Sequence, residues 1–113
     1  MSDCIFCKIA SGEIPSDKVY ESENIVGFRD LNPIASTHIL FIPKKHYEHL
    51  SAIPIDEFNL FPEIMKAIVE TAQKENVVES GYRVVANINK NAGQEIFHFH
   101  MHLIGGRQLG KMG

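Results

Sequence analysis

Three histidines at alternate positions near the end of the chain are the residues best suited to chemistry. His98, His100 and His102 are separated by the apolar residues of the stretch His-Phe-His-Met-His-Leu-Ile. Alternate side chains of a β-strand share one face, so the imidazoles would stand about 7 Å apart while the apolar residues face a core. One half-buried histidine is usually satisfied by a backbone group, but three crowded rings each need a partner, and crowding disfavours their charged forms. The spacing therefore predicts nucleophilic or proton-transfer chemistry on a strand.

The two cysteines form a second candidate site. Cys4 and Cys7 are the only cysteines of the chain and stand in a CxxC spacing. In a reducing compartment this spacing indicates metal or redox chemistry before a structural disulfide. Two thiolates cannot complete a tetrahedral zinc site, so histidines would have to supply the other ligands. The alternative is a pair of free reduced thiols in a short helical turn.

Length and composition describe an ordinary small protein. The 113 residues fit one domain, residues 1–113, and 44% of them are hydrophobic, 22% are charged and the formal net charge is −3. This balance offers no basic patch for nucleic acid or for an anionic membrane. No stretch approaches the roughly 20 apolar residues of a membrane-spanning helix, and the first residues lack a signal-peptide pattern. We expect a cytoplasmic protein that acts on a small molecule.

The residue pattern predicts an antiparallel sheet covered by helices, which is the α+β class. Apolar alternation and turn residues indicate a short helical turn at Cys4–Ala10 that ends at Ser11-Gly12, and five strands. The strands are Lys18–Glu21, Ile25–Arg29, His38–Pro43, Tyr82–Asn87 and the histidine strand His98–Ile104.

One long helix is predicted between the third and fourth strands, from Asp56 as N-cap to Lys74. Pro62 would remove a backbone hydrogen bond within it, so we expect a kink or a break after an opening turn. Residues at helical spacing predict one stripe that faces the core. Its members are Phe58, Phe61, Met65, Ile68, Val69 and Ala72.

The motif at residues 98–104 resembles the histidine triad signature, His-φ-His-φ-His-φ-φ with φ apolar. The chain is similar to the HIT family over nearly its whole length, including the segments 5–9, 13–15, 37–38, 42–46 and 93–94. Gly105-Gly106-Arg107 is similar to the end of the motif in the Hint branch of that family. The resemblance implies a five-stranded antiparallel sheet with one long helix and a short N-terminal helix. It also implies a homodimer, with Phe58, Met65 and Val69 as candidate interface residues.

The resemblance further implies a reaction. Hint-branch enzymes cleave purine nucleoside phosphoramidates at the α-phosphate. By this likeness His100 attacks the α-phosphorus, expels an amine and forms a nucleotidyl-histidine that water hydrolyses. His102 would stabilise the phosphate and transfer a proton to the leaving group, and His38 would complete a relay with the triad.

Nucleotide-binding residues follow from the same resemblance. In the family an apolar slot holds the base and a carboxylate binds the ribose hydroxyls. The matching positions here are Phe6, Ile9, Phe28 and Leu31 for the base, Asp30 for the ribose, and Asn87 and Gln94 for the phosphate. The apolar residues could instead be plain core, Asp30 a turn former, and the two amides loop stabilisers.

For the metal, the resemblance to HIT proteins with this CxxC implies one structural zinc ion. His46 and His98 would join Cys4 and Cys7 as ligands, and His49 is a rival for His46. A closed set of four protein ligands leaves no open position for catalysis.

Two departures from the Hint pattern affect specificity. Glu95 stands where Hint-branch enzymes commonly carry serine, and a carboxylate there should repel an anionic phosphate. The tail Gln108–Gly113 replaces the usual Trp-Pro-Pro-Gly segment. Two alternative functions therefore stay open, a dinucleoside polyphosphate hydrolase and a non-catalytic nucleotide- or metal-binding module.

Overall fold

The computed structural model describes residues 3–112, so Met1, Ser2 and Gly113 of the predicted domain lie outside it. Helix α1, Ile5–Ser11, comes first. It begins after Cys4, whose Sγ accepts the Cys7 N–H at 3.4 Å. It ends at Gly12, whose φ of 84° is left-handed and suits glycine. The predicted helical turn and its stop are confirmed.

Five strands form one antiparallel sheet, as predicted. They are β1 Lys18–Glu21, β2 Ile25–Arg29, β3 Thr37–Pro43, β4 Tyr82–Val85 and β5 Met101–Gly105, in the order β1-β2-β3-β5-β4. All seven residues of the central β3 are buried. The prediction was wrong by two or three residues at two boundaries, since β4 stops at Val85 instead of Asn87 and β5 starts at Met101 instead of His98. It was wrong by one residue at two more, since β3 starts at Thr37 and β5 ends at Gly105.

Helix α2, Leu60–Lys74, is the long helix, and it starts later than predicted. Asp56 is not its N-cap but lies in a separate 3₁₀ turn, Ile55–Glu57, while Asn59 precedes the helix. Pro62 is the third residue of α2, where backbone N–H groups have no intrahelical partner and a missing one costs little. The predicted break after an opening turn is confirmed.

The buried face of α2 is rotated from the predicted stripe. Of the predicted members, Ile68 and Ala72 are buried, whereas Phe58, Met65 and Val69 are 41%, 40% and 48% exposed. The predicted stripe left out Leu60 and Ile64, and it also left out the small residues Ala67 and Thr71, which carry little hydrophobic signal. The buried set is Leu60, Ile64, Ala67, Ile68, Thr71 and Ala72.

The sheet has two cores, one on each face. Ile39, Phe41 and Leu103 pack under α2, and Val26, Phe28, Leu40 and Ile42 pack under α1. Leu40 of β3 pairs with His102 of β5, and His38 is two residues before Leu40. Strand alternation therefore places both His38 and His102 on the α1 face.

Short 3₁₀ turns also occur at Leu50–Ala52 and Lys90–Ala92, the second in the predicted loop before the histidine motif. Neither of the two α-helices in residues 3–112 has the length and apolar character that a membrane span requires.

Candidate active site

The three histidines of the motif do not share one strand face, which corrects the prediction. β5 begins at Met101, so only His102 lies on a strand. Before β5 begins, the Phe99 N–H donates to the Tyr47 carbonyl at 2.6 Å. This hydrogen bond is not part of the pairing between β5 and β3. His98 then contacts the two cysteines, while His100 and His102 stay together with ring centroids 5.1 Å apart.

A cavity of about 520 Å³ lies beside His100 and His102 on the α1 face of the sheet. Phe6 of α1 packs edge-on against both Phe28 and His100, with centroid distances of 5.4 and 5.2 Å. This cavity is lined by all the residues that the resemblance predicts to bind the nucleotide. They are Phe6, Ile9, Phe28, Asp30, Leu31, Asn87, Gln94 and His102.

The orientation of His100 is fixed by the main chain. Its Nδ1 lies 2.8 Å from the His98 carbonyl oxygen. A carbonyl oxygen only accepts, so Nδ1 carries the hydrogen and Nε2 of the neutral ring keeps a lone pair. His100 is 8% exposed and lines the cavity. Its Nε2 is thus prepared to act as a nucleophile.

His38 and His102 form a hydrogen-bonded pair, which we call the relay. The positions of its hydrogens follow from the same reasoning about donors and acceptors. The Ile34 N–H donates to His38 Nδ1 at 3.2 Å, so the neutral His38 ring carries its hydrogen on Nε2. That Nε2 lies 3.0 Å from His102 Nδ1, which must then accept. His102 is left with Nε2–H as a donor for a ligand in the cavity.

Burial keeps both relay rings neutral. Burial, together with the nearby His100 and His38, lowers the pKa of His102 to about 4, while Asp30 opposes the shift. Burial also lowers the pKa of His38, against the charge of Asp30. At neutral pH each ring therefore has one proton, as the relay requires.

Asp30 has two contacts at the cavity. Its Oδ1 accepts the Asn32 N–H at 2.8 Å, which is a turn-forming hydrogen bond. Its Oδ2 lies 3.4 Å from His38 Nε2. The carboxylate therefore stabilises the loop and faces the relay while it lines the cavity.

Gln94 stabilises its own loop, which favours the second interpretation of this residue. Its Nε2 donates to the Glu48 and Ile96 carbonyls at 2.7 and 3.0 Å, and its Oε1 accepts the Asn89 N–H at 2.7 Å. Both amide hydrogens predicted to bind phosphate are thus engaged. Gln94 instead holds the loop that lines the cavity.

The sequence did not identify Ser16 as a site residue. It lines the cavity, and its buried Oγ has no hydrogen-bond partner among residues 3–112. A hydroxyl directly after Ile14-Pro15 has no distinguishing pattern, so only the fold reveals it.

The predicted metal ligands meet in one cluster. Cys4, Cys7, His46 and His98 each offer one atom, all within 4.8 Å of one another. Nδ1 of His98 lies 3.3 Å from Cys4 Sγ, 3.5 Å from Cys7 Sγ and 3.2 Å from His46 Nδ1. A tetrahedron with zinc–ligand bonds of about 2.0–2.3 Å has edges of roughly 3.3–3.8 Å. The spacing fits a tetrahedral metal site, and His49 is outside it.

The proton on His98 also suits a metal ligand. Its Nε2 donates to the Pro43 carbonyl at 2.8 Å, which leaves the Nδ1 lone pair toward the thiols. Burial lowers the pKa of His98 to about 4. Burial and the adjacent Cys4 raise the pKa of Cys7 to about 11, so the Cys7 thiol ionises readily only when a cation offsets its charge.

A second group of possible ligands, Asp30, His38 and His102, is different. Because the Ile34 N–H occupies His38 Nδ1, the hydrogen of His38 stands on Nε2 and points into the group. No lone pair of that ring is available there. The proton positions therefore indicate a relay here and a metal site at the cysteines.

Comparison with known proteins identifies the family. The HIT domain model matches residues 11–109. A purine nucleoside phosphoramidase of Escherichia coli (strain K12) is 40% identical over 110 residues, which cover 97% of this chain and 92% of that protein. A HIT family hydrolase from Legionella pneumophila Philadelphia 1 has a TM-score of 0.92 at 47% identity, with 96% of each chain covered. A Zn-bound histidine triad family protein from Mycobacterium smegmatis has a TM-score of 0.80 at 31% identity, covering 99% of this chain and 81% of that one.

The chain therefore belongs to the HIT family, and the resemblance inferred from the motif is confirmed. It is a HIT-family hydrolase.

The depressed pKa of His102 can be measured directly. We expect its ring to stay neutral from pH 7 down to about pH 5 and to titrate with a pKa of about 4. His100→Gln should raise this pKa, because the lowering contribution of His100 is removed while burial remains. Imidazole ¹⁵N chemical shifts recorded against pH give both values. A His102 midpoint above pH 6 in the wild type would contradict the burial argument.

Proposed function

We propose that this protein hydrolyses purine nucleoside phosphoramidates at the α-phosphate through a nucleotidyl intermediate on His100. The observation that carries the proposal is the pairing of two ring nitrogens at one cavity. His100 Nε2 has a lone pair because Nδ1 donates to the His98 carbonyl, and His102 Nε2 has a hydrogen because Nδ1 accepts from His38. A nucleophile and a phosphate-binding donor are thus adjacent.

The reaction then has two displacements at phosphorus. His100 Nε2 attacks, a new P–N bond forms, and the bond to the leaving amine breaks with its electron pair going to that nitrogen. Water next attacks the same phosphorus and displaces His100 Nε2. Over the cycle one water is consumed, with its hydroxyl on phosphorus and its proton on the amine. His102 stabilises the phosphate oxygens and carries the proton.

The rest of the cavity holds the nucleoside in this proposal. Phe6, Ile9, Phe28 and Leu31 contact the base, and Asp30 binds the ribose hydroxyls. Asn87 contacts the phosphate, whereas Gln94 acts by holding its loop. Support comes from the shared cavity and from its division into an apolar part under α1 and a polar part at the histidines.

The charges around the cavity favour phosphoramidates over dinucleoside polyphosphates. Among the described residues that line it, Arg29 is the only Lys or Arg, against the carboxylates of Asp17, Asp30 and Glu95. The Arg29 guanidinium is already bound to Glu75 at 3.0 and 2.7 Å. A phosphate with one charge can be bound by neutral donors, but a polyphosphate chain would find no free cation.

Turnover tests the proposed nucleophile. Wild type should release adenosine monophosphate from adenosine 5′-phosphoramidate, and His100→Ala should lose on the order of 1,000-fold or more of kcat, because the covalent route is removed. His49→Gln, outside both clusters, is the matched control and should keep wild-type activity. If wild type is inactive with this substrate but cleaves diadenosine tetraphosphate, the proposed substrate is wrong. Full activity in His100→Ala would assign the nucleophile elsewhere.

Glu95 should limit the rate in this site. Glu95→Gln removes a carboxylate at the cavity that repels the phosphate, so kcat/KM should rise about 2–10-fold at low ionic strength and less at high salt. Glu79→Gln is the control for loss of one exposed surface charge. Steady-state kinetics at two salt concentrations measure the effect. A fall in kcat/KM would show that Glu95 assists the reaction instead.

We further propose one structural zinc ion on Cys4, Cys7, His46 and His98. It would tie α1 to the segment before β5 and hold His98, whose carbonyl orients His100. The spacing of the four ligand atoms supports the site, as does the Zn-bound relative.

Metal content tests the zinc proposal. Wild type should hold one zinc per chain, and Cys7→Ser should lose most of it and lower Tm by at least about 5 °C, because metal binding stabilises the folded state. His49→Gln should retain the metal. Elemental analysis of dialysed protein and thermal unfolding measure both. Full zinc content in Cys7→Ser would contradict this ligand set.

A homodimer is also proposed. Phe58, Met65 and Val69 are exposed, and β4 is an edge strand with Tyr82 and Val84 partly exposed. The exposed apolar residues of α2 and the unpaired edge of β4 are each features that suit contact with a second copy of the chain. Sedimentation as a monomer at micromolar concentration would exclude it.

A further inference from the structure

Arg107 contacts the loop that sets the proton position of the relay. Its Nε donates to the Ile34 carbonyl at 2.7 Å, and its Nη1 donates to the Gln108 carbonyl at 2.9 Å. The N–H of the same Ile34 donates to His38 Nδ1 at 3.2 Å. Arg107 thus holds Ile34 through the Ile34 carbonyl, and the N–H of Ile34 holds His38.

The loop between β2 and β3 is fitted against the end of β5 at several points. Gly106 has a φ of 99°, and a Cβ there would lie 2.0 Å from Ser36 Oγ, so only glycine permits this approach. Pro33 restricts the backbone on the other side of Ile34. Asp30 closes the start of the loop by accepting the Asn32 N–H. Arg107 supplies the side-chain bond to Ile34 in this arrangement.

The position of Ile34 decides the tautomer of two histidines. His38 Nε2 and His102 Nδ1 are 3.0 Å apart, so one hydrogen stands between them, and either ring could supply it. The Ile34 N–H selects His38 as its source by occupying His38 Nδ1. Asp30 Oδ2, at 3.4 Å from His38 Nε2, is the charged group that faces the same nitrogen. Only this choice leaves His102 with its hydrogen on Nε2.

We propose that Arg107 is a positioning residue, which holds the main chain at Ile34 so that His38 and His102 each keep a single tautomer. The catalytic consequence rests on the proposed function, because the Nε2–H of His102 is the donor to phosphate in that reaction. The tautomer claim itself does not require a substrate. Loss of Arg107 frees Ile34, and part of the population then carries the hydrogen on Nδ1 of His102.

Imidazole ¹⁵N spectroscopy of the full chain tests this proposal. Wild type should show His38 and His102 as single Nε2–H tautomers at pH 7.5, and Arg107→Ala and Arg107→Gln should show mixed tautomers at both. Arg107→Lys keeps a donor within reach of Ile34 and should restore the wild-type pattern in part. His100 should stay Nδ1–H throughout, since the His98 carbonyl fixes it. Unchanged tautomers at His38 and His102 in Arg107→Ala and Arg107→Gln would overturn the proposal.

Arg83→Gln is the matched control. Arg83 is also an arginine that donates to a main-chain carbonyl, that of Gly110 at 2.7 Å, and within residues 3–112 it makes no hydrogen bond to the loop between β2 and β3. It should leave the relay unchanged.

Kinetics with adenosine 5′-phosphoramidate give the second measurement. In Arg107→Gln, kcat should fall about tenfold while KM changes less than about threefold, because a wrong tautomer affects the reacting group more than binding. If the Arg107 variants show mixed tautomers but neither they nor the wild type cleave the phosphoramidate, the proposed function is rejected and the positioning role is kept. Turnover in wild type with equal kcat in Arg107→Gln would reject the positioning role alone.

Discussion

Main-chain groups decide which nitrogen carries the proton on three buried histidines. The Pro43 carbonyl takes the Nε2–H of His98, the His98 carbonyl takes the Nδ1–H of His100, and the Ile34 amide occupies Nδ1 of His38. A neutral imidazole has one donor and one acceptor, so fixing one nitrogen defines the other. His98 thereby presents a lone pair to the cysteines, His100 a lone pair to the cavity and His38 a hydrogen to His102. Burial lowers the pKa of His98 to about 4 and also lowers that of His38, so neither of these two rings takes a second proton at pH 7.

The fold supplies these backbone partners from distant parts of the chain. Helix α1 serves both sites, since Cys4 and Cys7 at its start belong to the metal cluster and Phe6 between them packs against His100. Sheet alternation brings His38 and His102 to the same face. The cluster of candidate metal ligands and the cavity are therefore joined through one residue, His98, whose ring belongs to the first and whose carbonyl orients His100, the proposed nucleophile, in the second.

The sequence predicted the parts of the site that depend on residue type and local spacing. These include the histidine motif, the CxxC pair and the five strands. It could not predict that β5 starts at Met101, because the apolar alternation continues unbroken from His98, and the Phe99 N–H is bound by Tyr47, far away in the sequence. It misplaced the buried face of α2 because apolar residues occur on two sides of the helix, Met65 and Val69 on one and Leu60 and Ile64 on the other, and only the packing against the sheet decides between them. The contacts of Gln94 and Arg107 also depend on distant carbonyls, which every residue type offers equally.

The central claim is that cleavage proceeds by two displacements at phosphorus, with His100 Nε2 as the first nucleophile. Each in-line displacement inverts the configuration of phosphorus, so two restore it. The most direct measurement is the stereochemical course of hydrolysis of a phosphorothioate analogue of the phosphoramidate, of known configuration, in ¹⁸O-labelled water. The proposed two-step mechanism predicts overall retention. Inversion would contradict it, because it would mean that water attacks the substrate directly and that no bond to His100 forms.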